Sequence, residues 1–176
     1  MNRTFTFVAA TIALLSCAVA VPTNHAVAQE KQHVSFKSTA DNSKYTQQLN
    51  VDVGDVGNHI VRAFDLHRTY PANQPVIGGL KLAEEWNRGI ADLTDGTGTS
   101  TLYGVYLMDN GDNFFTRTAT VVESGSGKLT ATQVGTISGG TGKLAGIRGT
   151  VKSITTFDPK SGFNENQTDM NYSIGK

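Results

Sequence analysis

The stretch HIVRAFDLH, from His59 to His67, brings two imidazoles and a carboxylate together within nine residues. Read as a strand, it places His59, Val61, Ala63, Asp65 and His67 on one face and Ile60, Arg62, Phe64, Leu66 and Arg68 on the other. Asp65 and His67 are then same-face neighbours, close enough for the carboxylate to orient the imidazole and raise its basicity. That pair suits general acid–base work if its face looks into an enclosed site. The opposite face is the more apolar, so the competing reading puts Ile60, Phe64 and Leu66 in the core and the polar groups in water. Downstream, Leu82, Glu84, Trp86, Arg88 and Ile90 share a face at two-residue spacing. A Trp between Glu and Arg can line a polar-rimmed pocket, the ring supplying area and the charges fixing orientation. The alternative is a Trp on the outside beside an ion pair, or in a subunit contact. Further on, Tyr103, Val105 and Leu107 face away from Tyr106 and Met108, while Phe115, Arg117 and Ala119 oppose Phe114 and a row of Thr116, Thr118 and Thr120. The candidate acid–base residues are thus Asp65, His67 and Glu84; the candidate ligand contacts are Trp86, Arg88, Tyr103, Phe115 and Arg117.

Other chemistries find little footing. Asp92, Asp95, Asp109 and Asp112 miss the D-x-D-x-D-G spacing of a calcium loop. The histidines have neither HxH nor HExxH spacing for zinc, and no G-x-S-x-G nucleophile elbow occurs. No metal and no cofactor is expected. GTISGGTGKLAGIRGTV, Gly135 to Val151, has the look of a phosphate loop, but Gly142-Lys143 is followed by Leu144 instead of Ser or Thr, and position 137 is Ile. Its G-x-G-x-x-A match, Gly140 to Ala145, needs a helix whose N-terminus holds the pyrophosphate. The residues that follow, rich in Gly and β-branched side chains, do not sustain one. No nucleotide is expected. Asn166 and Asn171 each open an N-x-S/T sequon, which matters only in a eukaryotic secretory pathway.

The elements that must position these residues are strands. Runs rich in Val, Ile, Thr, Tyr and Phe, bounded by Gly, Asn, Asp and Ser, recur near 33–39, 45–53, 59–69, 80–93, 99–109, 113–123, 128–138, 147–157 and 165–174. DNGD (Asp109 to Asp112) carries the Asn-Gly of a type I′ hairpin. TYPANQPVIGG (Thr69 to Gly79) holds Pro71 and Pro75 and reads as a loop across one end. LKLAEEWNRG (Leu80 to Gly89) fits helix and strand periodicity alike, and its neighbours favour strand. The glycine stretch then becomes a corner between two strands, with Leu144 and Ile147 tucked beneath it. Gly139, Gly140 and Gly142 supply its backbone freedom, and Gly135 and Gly149 relieve crowding in the flanking strands. An antiparallel meander of this kind loses both exposed edges by closing into a barrel.

GTISGGTGKLAGIRGTV resembles the penultimate hairpin of the allene oxide cyclase-like and dirigent-like barrels. ADLTDGTGTSTLYGVYLMDNGDNFFTR (Ala91 to Arg117) is similar to the preceding hairpins of their secreted bacterial members. The likeness covers roughly the second half of the chain. It implies an eight-stranded closed antiparallel β-barrel, often trimeric, with a ligand cavity in the lumen and metal-free cyclisation or coupling of the bound ligand. No motif carries the acidic catalytic residues of that family onto this sequence.

Residues 1–28 read as a signal peptide: Arg3, an apolar run from Phe5 to Leu15, Pro22, then Ala26-Val27-Ala28 before the cut. The run is too short for a membrane span of roughly 20 residues. The destination is secretion or the periplasm, with lipidation at Cys17 as the lesser alternative. The remaining 148 residues, 29–176, make one domain with a net charge of −1 and no cysteine. Near-neutrality without a basic run argues against nucleic acid. Three functional classes stay open: a binding module with a small apolar or aromatic ligand in its lumen, which the residues favour; a cofactor-free isomerase or cyclase; and a structural barrel filled by its own side chains. Apolar residues on both strand faces call for a covered exterior, hence a homo-oligomer, with a trimer implied by the resemblance.

Overall fold

The computed structural model describes residues 30–125 and 127–175, so the signal peptide expected at residues 1–28, with Cys17, lies outside the described residues. Apart from two 3₁₀ turns, the regular structure of the described residues is all antiparallel β. Its strands are β1 (Gln32–Ser38), β2 (Ser43–Asp52), β3 (His59–Thr69), β4 (Val76–Ile77), β5 (Leu80–Thr94), β6 (Thr97–Met108), β7 (Asn113–Gly125), β8 (Lys128–Gly140), β9 (Ile147–Asp158) and β10 (Phe163–Ile174). The ladder order is β1-β10-β9-β8-β7-β6-β5-β3-β2, with β4 pairing β5 off this path. The nine expected runs are strands, including the ambiguous Leu80 to Gly89. The proline-rich loop adds the two-residue β4, which pairs just after Pro75.

The closed eight-stranded barrel does not form. The sheet has ten strands, and no backbone ladder joins β1 to β2, its two ends. It rolls far enough for side chains to bridge the gap, from β10 to β2 and from β1 to the residue after β3. Asn164 on β10 donates to the Tyr45 hydroxyl on β2 at 3.2 Å, and Phe36 on β1 packs edge-on against Tyr70 at 5.7 Å. The obstacle to closure lies in β2. A 3₁₀ turn at Ala40–Asn42 swings the chain out of β1, and a bulge between Tyr45 and Gln47 re-aims β2 along β3. Gln47 to Asp52 are exposed on both faces.

Inside the roll, three layers succeed one another along the strands. One end is plugged by Ile77, Leu80, Leu82, Met108, Phe114, Leu144, Ile147 and Met170. The other end is lined by Ala91, Leu93, Val122, Ala131 and Phe157, with Ile60, Phe64 and Leu129 against them. Between them runs a polar belt that includes Arg68, Glu85, Asn87, Thr116, Asn164 and Thr168, all buried. Asn166, one of the two sequon asparagines, is buried in this belt and hydrogen-bonded to Thr155 and Thr168.

Turn chemistry explains the connections. A two-residue hairpin with both central φ positive joins β5 to β6 at Asp95 (51°) and Gly96 (77°), as a type I′ turn requires. At Asn110-Gly111, where the sequence pattern puts such a turn, only Gly111 has positive φ. The glycine stretch forms the expected corner: β8, a 3₁₀ turn at Gly142–Leu144, then β9, with Leu144 and Ile147 fully buried in the plug. Of its glycines Gly142, at 51°, and Gly146, at 80°, are left-handed; Gly139 is extended.

The loop from β2 to β3 is fastened by His59, whose ring nitrogens meet Asp55 at 2.6 Å and Asp92 at 2.8 Å. The hydrogen bonds to Asp92 and then Asp55 hold the imidazolium above its usual 6.5. A group raised in this way stabilises the fold fully below 6.5, and the contribution is lost as pH rises through the folded value. The His59 titration followed by NMR should therefore have its midpoint above 6.5, with amides of residues 53–58 exchanging faster beyond it. Asp92→Asn should lower that midpoint. A wild-type midpoint at or below 6.5 would show the clip to be absent in solution.

Candidate functional site

All eight residues singled out from sequence stand on the outer face of the rolled sheet. The face of β3 that turns inward is Ile60, Arg62, Phe64, Leu66 and Arg68, the more apolar one apart from its arginines. Asp65 and His67 therefore point outward. On β5 a bulge between Leu82 and Glu84 breaks the alternation: Leu82 points in, Glu84, Trp86 and Arg88 point out, and Glu85 takes the interior position. The structure does bring the outer residues together. His67 stacks on Trp86 with ring centres 4.0 Å apart and meets Glu84 at 3.0 Å. Trp86 Nε1 donates to Glu84, Arg88 lies over Trp86 and 3.6 Å from Asp65, and Arg117 lies over Tyr103. Tyr103 is 55% and Phe115 36% exposed. This ladder of rings and charges covers the strands from outside, so none of it lines the lumen and Trp86 does not report on it.

The interior polar belt is built by residues the sequence reading passed over. Glu85 Oε1 accepts from Arg68 Nη1 at 2.7 Å and from Asn87; its Oε2 accepts from the Tyr70 hydroxyl at 2.6 Å. Arg68 Nη2 donates to Asn164 Oδ1 at 2.9 Å, which ties β3 to β10 across the roll. Burial and then the Glu85 charge push the phenols of Tyr70 and Tyr106 well above 10.0, so both remain neutral donors. Burial opposes the Arg68 charge, and Glu85 together with Tyr70, Tyr106 and Tyr45 outweighs it, so the guanidinium is held charged. The adjacent acids Glu84-Glu85 were a usable signal, since in any strand one of two neighbours must face inward.

Above the belt lies an apolar chamber. Its walls include Phe64, Leu66, Leu93, Leu102, Val122 and Phe157, and Arg62 and Arg68 border it. It measures about 40 Å³, room for roughly three waters. It shares Arg62, Leu93 and Phe157 with a wide concavity of about 640 Å³, rimmed by Asn58, Asp95, Lys128, Asp158 and Lys160. The plug shuts the opposite end. Glu85 does not border the chamber; Arg68 stands between the carboxylate and that space. Among the described residues no group of three or more His, Cys, Asp or Glu is placed to hold a metal ion. No helix among them is long and apolar enough to cross a membrane.

No protein-family model matches the chain. No curated protein matches it by sequence either. Among solved structures, the chain is similar to a protein of unknown function of the DUF3224 family from Shewanella oneidensis, at 10% identity and a TM-score of 0.47, over 82% of this chain and 100% of that one. It is also similar to the pterocarpan synthase dirigent protein GePTS1, at 15% identity and a TM-score of 0.48, over 95% of this chain and 100% of that one. Likeness at this level says nothing of what the chain binds or does.

Proposed function

We propose that this protein is a binding module that takes a small apolar or aromatic ligand through the open end of its rolled sheet. The supporting observation is the asymmetry of the interior: an apolar chamber opens to a wide mouth at one end, while the belt and the plug fill the other. Ligand sites are concave and mainly apolar, with few polar groups fixing orientation. The isomerase reading is weaker because both oxygens of Glu85 are engaged and the chamber does not reach them. The proposed setting is secretion or the periplasm, which rests on residues 1–28 alone.

The test is a thermal-shift and calorimetry panel of single-ring aromatic compounds. A ligand at 100 times its Kd stabilises by about 2.7 kcal/mol, which for a domain of this size raises Tm by roughly 8 °C. Ala131, buried in the chamber wall, provides the control. Ala131→Leu should fill the chamber, keep the fold and abolish the shift. A panel that moves Tm of neither protein would sink the reading and leave the self-filled structural sheet.

A further inference from the structure

Two arginines, six residues apart on β3, point into the same interior, and their surroundings differ. Arg68 has Glu85 as a counter-charge and Asn164 as a second acceptor. Arg62 is 4% exposed and has no carboxylate partner among the described residues. Its Nη2 donates to the Gln48 amide oxygen, and its guanidinium lies over the rings of Tyr45 at 5.0 Å and Phe64 at 5.8 Å. Its Nε is buried with no acceptor. Burying a charge without a partner is costly, and folded chains normally neutralise it or pair it. An arginine keeps its charge inside proteins, so pairing is the only remedy.

The position of this unmatched cation is specific. Arg62 borders both the chamber and the mouth, at the neck between them. The acids near that neck are committed elsewhere. Asp95 accepts from Asn58, Asp158 from the Lys160 amide, Asp52 from the Gly54 amide, and Asp92 lies outside on His59. At the rim Asp95 and Asp158 face Lys128 and Lys160, so the acids and lysines balance in number.

We infer that the ligand is an anion, a compact aromatic acid whose carboxylate pairs with Arg62 at the neck while its ring lies in the mouth against Leu93 and Phe157, one edge reaching the chamber. This rests on the lumen-binding reading above and adds the ligand class. The guanidinium fork offers donors in the geometry a carboxylate accepts, and Phe64 and Phe157 supply aromatic walls for a ring. The chamber, with room for about three waters, cannot take up a long chain.

The probes are 3-phenylpropanoate and its uncharged counterpart 3-phenylpropanol, titrated calorimetrically into the full folded chain. The acid should bind at least tenfold more tightly than the alcohol, as expected for a charge-assisted hydrogen bond. Arg62→Met should remove that preference and leave the alcohol within about twofold, with circular dichroism and Tm confirming the fold; Arg62→Lys should keep part of it. Equal affinity of acid and alcohol for the wild-type chain overturns the anion assignment and leaves the lumen reading intact, without needing any variant. Binding of neither probe, nor of any other single-ring compound, removes both. Palmitate bound in preference to both probes overturns the single-ring assignment.

Discussion

Glu85→Ala is expected to destabilise the protein by about 3–5 kcal/mol, the usual cost of removing one member of a buried ion pair. The reason is what remains. Arg68 keeps its charge with 4% of its side chain exposed, and the Tyr70 hydroxyl and Asn87 amide lose the acceptor they share. Against a total stability of roughly 5–15 kcal/mol, this single change leaves a marginal fold. Urea unfolding of wild type and variant gives the difference directly. Glu85→Gln, which keeps the shape and an acceptor for Tyr70, should lose less. The double variant Arg68→Met with Glu85→Leu should recover most of the loss, because no charge is then stranded. A loss below 1 kcal/mol for Glu85→Ala would mean that water reaches Arg68, and the belt would no longer count as dry.

The second large effect is expected inside a strand. A Cβ on Gly149 of β9 would overlap the Asn171 carbonyl oxygen and sit 2.8 Å from Tyr172 Cα, both backbone atoms of β10. Backbone held in a ladder cannot yield as a side chain can, so Gly149→Ala must part β9 from β10. Overpacking of this kind costs about 3 kcal/mol at the upper end of the usual range, a fall in Tm of roughly 10 °C. Gly57, where an added Cβ meets open space, is the control, and Gly57→Ala should leave Tm within a degree or two. Equal melting of the two variants would show that the strands part at little cost.

The comparison of sequence with structure separates local information from information that needs partners. Strand positions were legible because Val, Ile, Thr and aromatic runs between turn residues carry a two-residue period of their own. Closure was not, since it depends on whether β1 and β2 align, and the bulge at Thr46 is set by how β2 meets β3. The facing of β3 was ambiguous on local grounds: one face offers His59, Asp65 and His67, the other Arg62 and Arg68, and only the assembled roll decides. The bulge beside Ala83 then reversed the expected facing beyond Leu82, so Trp86 went out and Glu85 came in. A rule of strict alternation cannot foresee such a switch. The polar belt was hidden for a related reason: its members come from separate strands, and no spacing along the chain betrays them.

On the proposed ligand-binding reading, the plug built from Leu144, Ile147, Ile77 and their neighbours also fixes the direction of exchange. A cylinder open at both ends allows displacement, one molecule arriving as another leaves ahead of it. Here the far end is stoppered, so the proposed ligand would enter and leave at the same end, past Arg62. Exchange of that ligand would then be sequential, the site emptying before it refills.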